Sequence, residues 1–238
     1  MSSIKPAPTA RLYRIIADQL ALKIRNGEFV PGDRLPSERE LAERRGVSRP
    51  SIREALIALE IQGFVDVRVG TGVFVMQARA NALDVDTGNP LDGNDIGPFD
   101  LLETRLIIEP ECVALTAQQA SQQQIDAIEA AHRAMSFSAS PAGHDRAFHN
   151  AIGAGCGNAA LAASVSHLLD LSEGSPLYRR LDAHFVNPEV WQTAYREHAR
   201  IMAAIVARDP IRARHAMRDH LYGILARLRE DFGTGIER

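Results

Sequence analysis

The sequence predicts a mainly α-helical protein, in which an N-terminal winged helix-turn-helix (helices with a small β-hairpin) precedes a C-terminal all-α bundle. Three observations carry that expectation. Between Leu35 and Val75 the chain shows two short helical stretches, a glycine turn and two runs of alternating valines, in that order. Beyond Pro98 apolar residues recur at helical spacing almost to the end. Between these parts, from about Gln77 to Gly97, periodicity fails and Asn, Asp, Gly and Pro dominate, as in a linker. The expected division is a winged domain at 1–76, a linker at 77–98 and a helical domain at 99–238.

In chain order, Leu12, Ile15, Ile16, Leu20 and Ile24 form one stripe from Arg11 to Asn26, with Gly27 closing that support helix. Residues 29–36 hold Pro31, Gly32 and Pro36 and read as a loop. Ser37 opens the next helix with Glu40 three residues on, so each side chain can satisfy a free N–H of the first turn. Arg45, Gly46 and Val47 supply the turn, and Ser48 caps a second helix that tolerates Pro50 in its first turn. Ile52, Leu56 and Leu59 make its buried stripe, while Arg49 and Arg53, four apart, share another face. Arginine there can offer its planar fork to guanine edges or phosphate oxygens, which suits a helix in a major groove. Val65, Val67 and Val69 alternate with polar residues, Gly70-Thr71-Gly72 turns the chain, and Val73 and Val75 return it as a wing.

These residues resemble the DNA-binding domain of the GntR family of bacterial regulators over residues 11–75. The family pattern P-S-E-R-E-L-A is met by Pro36 to Ala42, G-V-S-R by Gly46 to Arg49, and the I-R-E-A-L segment by Ile52 to Leu56. The resemblance implies duplex DNA as a partner, with contacts at Arg39, Ser48, Arg49, Ser51 and Arg53 and at Gly70 and Gly72 in the wing. Pro50 stands where many members have threonine, which removes any side-chain hydrogen bond from that position.

Charge supports the division. The formal net charge is −3, yet residues 1–75 carry 12 Lys and Arg against 9 Asp and Glu, whereas the rest carries 15 against 21. The basic excess lies where phosphate attraction needs it. No apolar run approaches the roughly 20 residues that span a bilayer, and the N-terminus lacks a hydrophobic signal core, so a cytoplasmic protein is expected. Cys112 and Cys156 are too few for a disulfide framework and read as small buried hydrophobes.

Candidate helices in the second part run near 99–118, 122–136, 141–155, 158–172, 188–207 and 210–231, with a longer connection around Glu173 to Asn187. A bundle interior is apolar, so polar residues on its apolar stripes are the informative ones. Asp145 and His149 lie four apart beside Phe148 and Ile152; His198 shares a stripe with Ile201, Met202 and Ile205; His220 shares one with Met217, Leu221 and Ile224. One carboxylate and three imidazoles converging there suit a divalent transition metal, with zinc, nickel and manganese all acceptable and room left for a ligand oxygen. His132 lies on an apolar stripe too, but no carboxylate or imidazole accompanies it at helical spacing. Arg105 sits among Leu101, Leu102 and Ile108; it either pairs with Glu109 or binds a carboxylate-bearing effector.

Residues 99–230 resemble the FCD ligand-binding domain of the FadR branch of the same family. The matches are Glu103, Arg105 and Glu109, then Asp145 to His149, Asn158, Glu197-His198 and His220-Leu221. The family's metal ligands fall on Asp145, His149, His198 and His220, the four that the stripes select. Ser175 to His184 and Glu189 to Arg196, with Trp191, are loosely similar to hexuronate-responsive repressors. Together these features imply a homodimeric repressor that reads a pseudo-palindromic operator and responds to a small organic acid, with a sugar acid the expected class. The alternatives are a metal-dependent enzyme tethered to DNA, disfavoured because no nucleophile or general-base motif accompanies the cluster, and an effector-independent DNA binder with a structural metal.

Overall fold

A computed structural model describes residues 9–77, 96–136, 141–230 and 232. The described residues form ten helices and one two-stranded antiparallel sheet, grouped into two compact units.

The first unit contains α1 (Thr9–Arg25), α2 (Glu38–Arg45), α3 (Arg49–Ile61), β1 (Val65–Arg68) and β2 (Gly72–Val75). Ser37 Oγ accepts from Glu40 N, and Glu40 Oε2 accepts from Ser37 N at 2.8 Å, so the start of α2 is closed in both directions. Gly46 ends α2 with φ 64°, the left-handed conformation a side chain resists. Ser48 caps α3, whose first turn holds Pro50. Ile52, Leu56 and Leu59 are fully buried, as are Tyr13, Ile16 and Leu20 of α1, and α1 packs on α3. The wing pairs Val65 with Val75 and Val67 with Val73. Val69 departs from the expected alternation, since it lies beyond β1 and is exposed. A single bridge from Arg34 to Phe74 adds a third pairing that the sequence did not announce.

The second unit holds α4 (Pro98–Gln119), α5 (Gln122–Met135), α6 (Pro141–Gly155), α7 (Ala159–Gly174), α9 (Pro188–Val206) and α10 (Pro210–Leu228), with α5 packed on α6 and α9 on α10. Its core gathers Val113, Ile125, Ile128, Phe148, Ile152, Ile201, Ile205, Met217 and Leu221. Cys112 and Cys156, separated by 44 positions in sequence, meet in a smaller cluster with Val165 and Leu169. Burial, followed by the neighbouring Cys156 thiol, pushes the Cys112 thiol up to about 12, which keeps it protonated and unreactive.

One element corrects the sequence reading. Where a long connection was expected, Pro176–Phe185 forms α8. Leu177 and Leu181 are buried one turn apart and Phe185 follows at the next, a stripe too short to stand out beside Pro176 and the charged residues between. Residues 175–184, and 229, 230 and 232 near the C-terminus, group with the first unit, not the second. Most of the expected linker, residues 78–95, lies outside the described residues.

Candidate functional site

The first unit presents α3 and the wing. Arg39 and Arg49 are partly or largely exposed, with side-chain accessibilities of 74% and 43%. Ser48 Oγ accepts from Ser51 N and lies 2.8 Å from Ser51 Oγ, so both serines are engaged in capping and sit at the tip of α3. Gly70 has φ 78° and Gly72 φ 129°, backbone conformations that side chains resist, so the wing turn favours glycine at both positions. Arg53 differs from Arg49. It is 2% exposed and its guanidinium is committed to Glu38, with Nε to Oε1 at 2.6 Å and Nη2 to Oε2 at 2.5 Å.

The second unit brings the four inward polar residues together. Asp145 and His149 come from α6, His198 from α9 and His220 from α10, and one ligand atom from each lies within 4.8 Å of the other three. His198 Nε2 is 3.2 Å from His220 Nε2 and 3.5 Å from Asp145 Oδ1. Donors held ~2.1 Å from a common ion at angles between square and tetrahedral stand roughly 3.0–3.4 Å apart; the two His198 separations lie within or just beyond that range, and the widest in the set, up to 4.8 Å, must close for all four to share one ion. The outer ring nitrogens are fixed separately. His149 Nδ1 meets Glu109 Oε2 at 2.6 Å, His220 Nδ1 meets Glu197 Oε2 at 2.8 Å, and His198 Nδ1 lies 3.3 Å from Met135 Sδ. A carboxylate behind a ligand imidazole selects the tautomer whose Nε2 lone pair faces inward. His149 Nε2 is buried with no hydrogen-bond partner.

Electrostatics agree with this orientation. Burial first, and then the neighbouring imidazoles of His220 and His149, hold His198 well below the usual histidine range. Burial also lowers His220, although Glu197 pulls the other way. Both rings are therefore neutral near pH 7 with lone pairs available. Burial alone would raise the Glu109 carboxyl, but Arg105 and His149 outweigh it and keep it ionised well below the usual carboxylate range.

Arg105 is buried on α4 with Nε 2.5 Å from Glu109 Oε1. The intrahelical pair considered from sequence is thus present, but it is buried and continues through Glu109 to His149. Nothing local in the sequence signalled that link, because Glu109 and His149 are 40 residues apart. His132 stays outside the ligand set; its ring stacks on Tyr195 at 4.2 Å and its Nε2 lies 3.0 Å from Tyr195 O. A cavity of about 540 Å³ is lined by Met135, Trp191, Tyr195 and Arg196 among others, and Met135 is shared between its wall and the His198 ring. The roles of Met135 and Tyr195 were not foreseen.

Two family descriptions match the chain. Residues 12–75 match "Bacterial regulatory proteins, gntR family" and residues 100–223 match "FCD domain". The chain belongs to the GntR family. Similar proteins include the Uxu operon transcriptional regulator of Escherichia coli strain K12, 32% identical over 234 residues that cover 95% of this chain and 91% of the relative. The Exu regulon transcriptional regulator of the same strain is 32% identical over 89% of this chain and 82% of its own length. The HTH-type transcriptional repressor NanR of Klebsiella aerogenes is 32% identical over 94% and 89%. This GntR protein is a DNA-binding transcriptional regulator of the FCD type, and not an enzyme. No helix among its described residues is long and apolar enough to cross a membrane.

Proposed function

We propose that this regulator is a cytoplasmic homodimeric repressor whose affinity for a pseudo-palindromic operator is set by a small organic acid, of the sugar-acid class, bound at a divalent transition metal in the FCD domain. The convergence of Asp145, His149, His198 and His220 on one centre carries the reading. The buried, unpartnered Nε2 of His149 supports it, because such an atom is costly unless something binds it. Zinc, nickel or manganese suits three imidazoles and one carboxylate. When bound, the ion supplies a Lewis-acidic point for the carboxylate or hydroxyl of the effector. Glu109 and Glu197 keep the imidazoles oriented, Arg105 joins the set through Glu109 and contributes the positive charge that favours the effector's carboxylate, and the cavity beside Met135 gives a small acid room to enter.

On the DNA side, α3 enters the major groove with Arg49 at base or phosphate, Ser48 and Ser51 at the backbone, Arg39 from α2, and Gly70 and Gly72 letting the wing approach closely. Arg53 belongs to the same face but must first leave Glu38. Two-fold symmetry places two such helices about 34–36 Å apart, one turn of duplex. That the named relatives regulate an operon and a regulon, and that one is a repressor, supports repression as the output.

The test pairs two variants. Arg49→Ala is expected to lose operator binding and keep acid binding, and His198→Ala the reverse. Protein purified without chelator should carry one metal per subunit, and calorimetry of the loaded protein against a panel of sugar acids should find a binder that weakens operator affinity. Protein that retains no metal defeats the sensor reading; loaded protein whose operator affinity no acid alters makes the ion structural.

A further inference from the structure

Among the described residues of the winged-helix unit, four acidic or basic side chains are buried: Glu38 at 4%, Arg53 at 2%, Glu54 at 9% and Glu60 at 8% exposure. Ions leave water only when partners replace it. For Arg53 and Glu60 part of that replacement comes from residues more than a hundred positions later in the chain. Arg53, its fork on Glu38, has the ring of Phe232 over its guanidinium at 4.7 Å. Glu60 is seven residues further along α3, two turns on and so on the same face. It accepts from Arg180 Nε at 2.9 Å and Nη2 at 2.8 Å, and from Val67 N at 3.2 Å; His184 Nε2 lies 2.7 Å from its Oε2. The His184 and Phe232 rings meet edge to face at 5.8 Å. Glu38, Arg53, Phe232, His184, Glu60 and Arg180 thus form one connected chain along the recognition helix.

We propose that α8 and the Phe232 side chain form an autoinhibitory clamp on the recognition helix, closed in this structure, which must open before Arg53 can reach DNA. The inference rests on the reading above that the arginine face of α3 meets the duplex. The argument is stereochemical. A guanidinium offers guanine or phosphate the same N–H edges that Arg53 now gives to Glu38, and the ring of Phe232 covers one of its faces. Arg49, one turn earlier, is 43% exposed and only 3.7 Å from Glu38, so one arginine is presented while its neighbour is withheld. Phe232 touches both Arg53 and His184, and His184 holds Glu60, so loosening α8 loosens the cover over Arg53. In the chain α8 leads directly into α9, the helix that carries His198, which gives the sensing half a covalent handle on the clamp. Apparent operator affinity scales with the fraction of molecules in the open state, so weakening the clamp raises it.

The experiment uses the full chain and a duplex that the wild-type protein has selected from a random-sequence pool, read by fluorescence anisotropy at one fixed salt concentration. Phe232→Ala removes the aromatic cover. Arg180→Ala removes a half-exposed partner and leaves Glu60 with His184 and Val67 N, so the carboxylate is not stranded. Each variant is expected to bind at least about fivefold more tightly than wild type. Phe232→Trp, which keeps an aromatic face, is expected to stay near wild type, and adding Arg53→Ala to Phe232→Ala should abolish the gain. Thermal melts establish that each variant is folded, and either single variant suffices if the other is not. Unchanged or weaker binding by the folded variants overturns the clamp. Arg49→Ala separates the two ways to fail: if it binds like wild type, α3 does not present its arginine face to DNA and the clamp falls with that reading. If it loses binding while Phe232→Ala and Arg180→Ala gain nothing, the clamp alone is wrong.

Discussion

Replacing Glu109 by glutamine isolates what a buried carboxylate does for the histidine cluster. The side chain serves two partners at once, Arg105 Nε at 2.5 Å and His149 Nδ1 at 2.6 Å, and it is 2% exposed. Glutamine keeps the shape and one acceptor oxygen but removes the charge facing a buried guanidinium. A hydrogen bond to a charged group contributes about 1.5–3 kcal/mol, so metal-free Glu109→Gln should lose about that much stability. At ~2–4 °C per kcal/mol, its melting temperature should fall by roughly 3–12 °C. Loss of the carboxylate behind His149 should also weaken metal binding by about 10–100-fold, or ~1.4–2.7 kcal/mol. The sign with pH is fixed by the direction of the shift. Because the folded carboxyl titrates below its model value of 4.5, its contribution is complete above that pH and drains away as pH falls through the lower folded value. The gap between wild type and variant should therefore be full at neutral pH and close in strong acid. Thermal melts with and without chelator read the first effect, and competition against a chromophoric chelator reads the second. A chelated variant melting within roughly one degree of wild type, with unchanged metal affinity, would refute the idea that Glu109 both neutralises Arg105 and orients His149.

Glu60 offers a second pH test in the other unit: burial alone would raise its carboxyl, but hydrogen bonds to His184 and Arg180 lower it below 4.5. Its stabilisation is present above that value and lost as pH falls through the folded one, so Glu60→Gln should flatten the acid limb of a melting-temperature profile taken between about pH 3 and 7. Ser37→Ala removes the Oγ that accepts from Glu40 N, and chemical denaturation should show a loss of ~1 kcal/mol. Gly46→Ala places a Cβ at φ 64° and should cost about 1–2 kcal/mol in the same assay. Leu177→Ala empties a fully buried position of α8 and should destabilise by about 2–5 kcal/mol; a change under ~0.5 kcal/mol would mean that α8 is a surface appendage.

How much of this was legible in advance depended on how local the determinants are. Ser37 with Glu40, Gly46, and Ser48 with Pro50 act within one turn of helix, and the structure realises each at its expected place. The inward set was legible for a related reason: His149, His198 and His220 each sit on a stripe whose other members are apolar, and 3.6-residue geometry alone turns such a residue inward. What escaped is non-local. Arg53 and Arg49 are four apart on one helix, and nothing in the residues around them distinguishes the exposed arginine from the buried one. The difference comes from Phe232, 179 residues later, and from Glu38 on the preceding helix. Helix α8 escaped because Leu177, Leu181 and Phe185 are its whole apolar stripe, and residues 175–184 group with a unit whose other helices lie more than a hundred residues earlier in the chain.

The inward histidines also resist explanation as ordinary core residues. A fold selected for stability alone gains nothing by placing three imidazoles within 5.4 Å ring to ring, since each lost its water on burial and their mutual repulsion lowers His198 further. Hydrogen bonding among them does not compensate. His198 and His220 can share one contact, but His149 Nε2 is left with none, and a stranded buried nitrogen costs about 1–3 kcal/mol. Meanwhile the outer nitrogens of His149 and His220 are anchored on the buried Glu109 and the partly buried Glu197, and a buried carboxylate such as Glu109 is expensive to maintain for orientation alone. All of these costs are offset together if a single cation takes the inward lone pairs: it satisfies His149, removes the conflict between His198 and His220, and gives Asp145 a charge to meet. Three nitrogens and one oxygen would leave a metal of six-coordinate habit with open positions, and on the sensor reading proposed above those positions would take the acid.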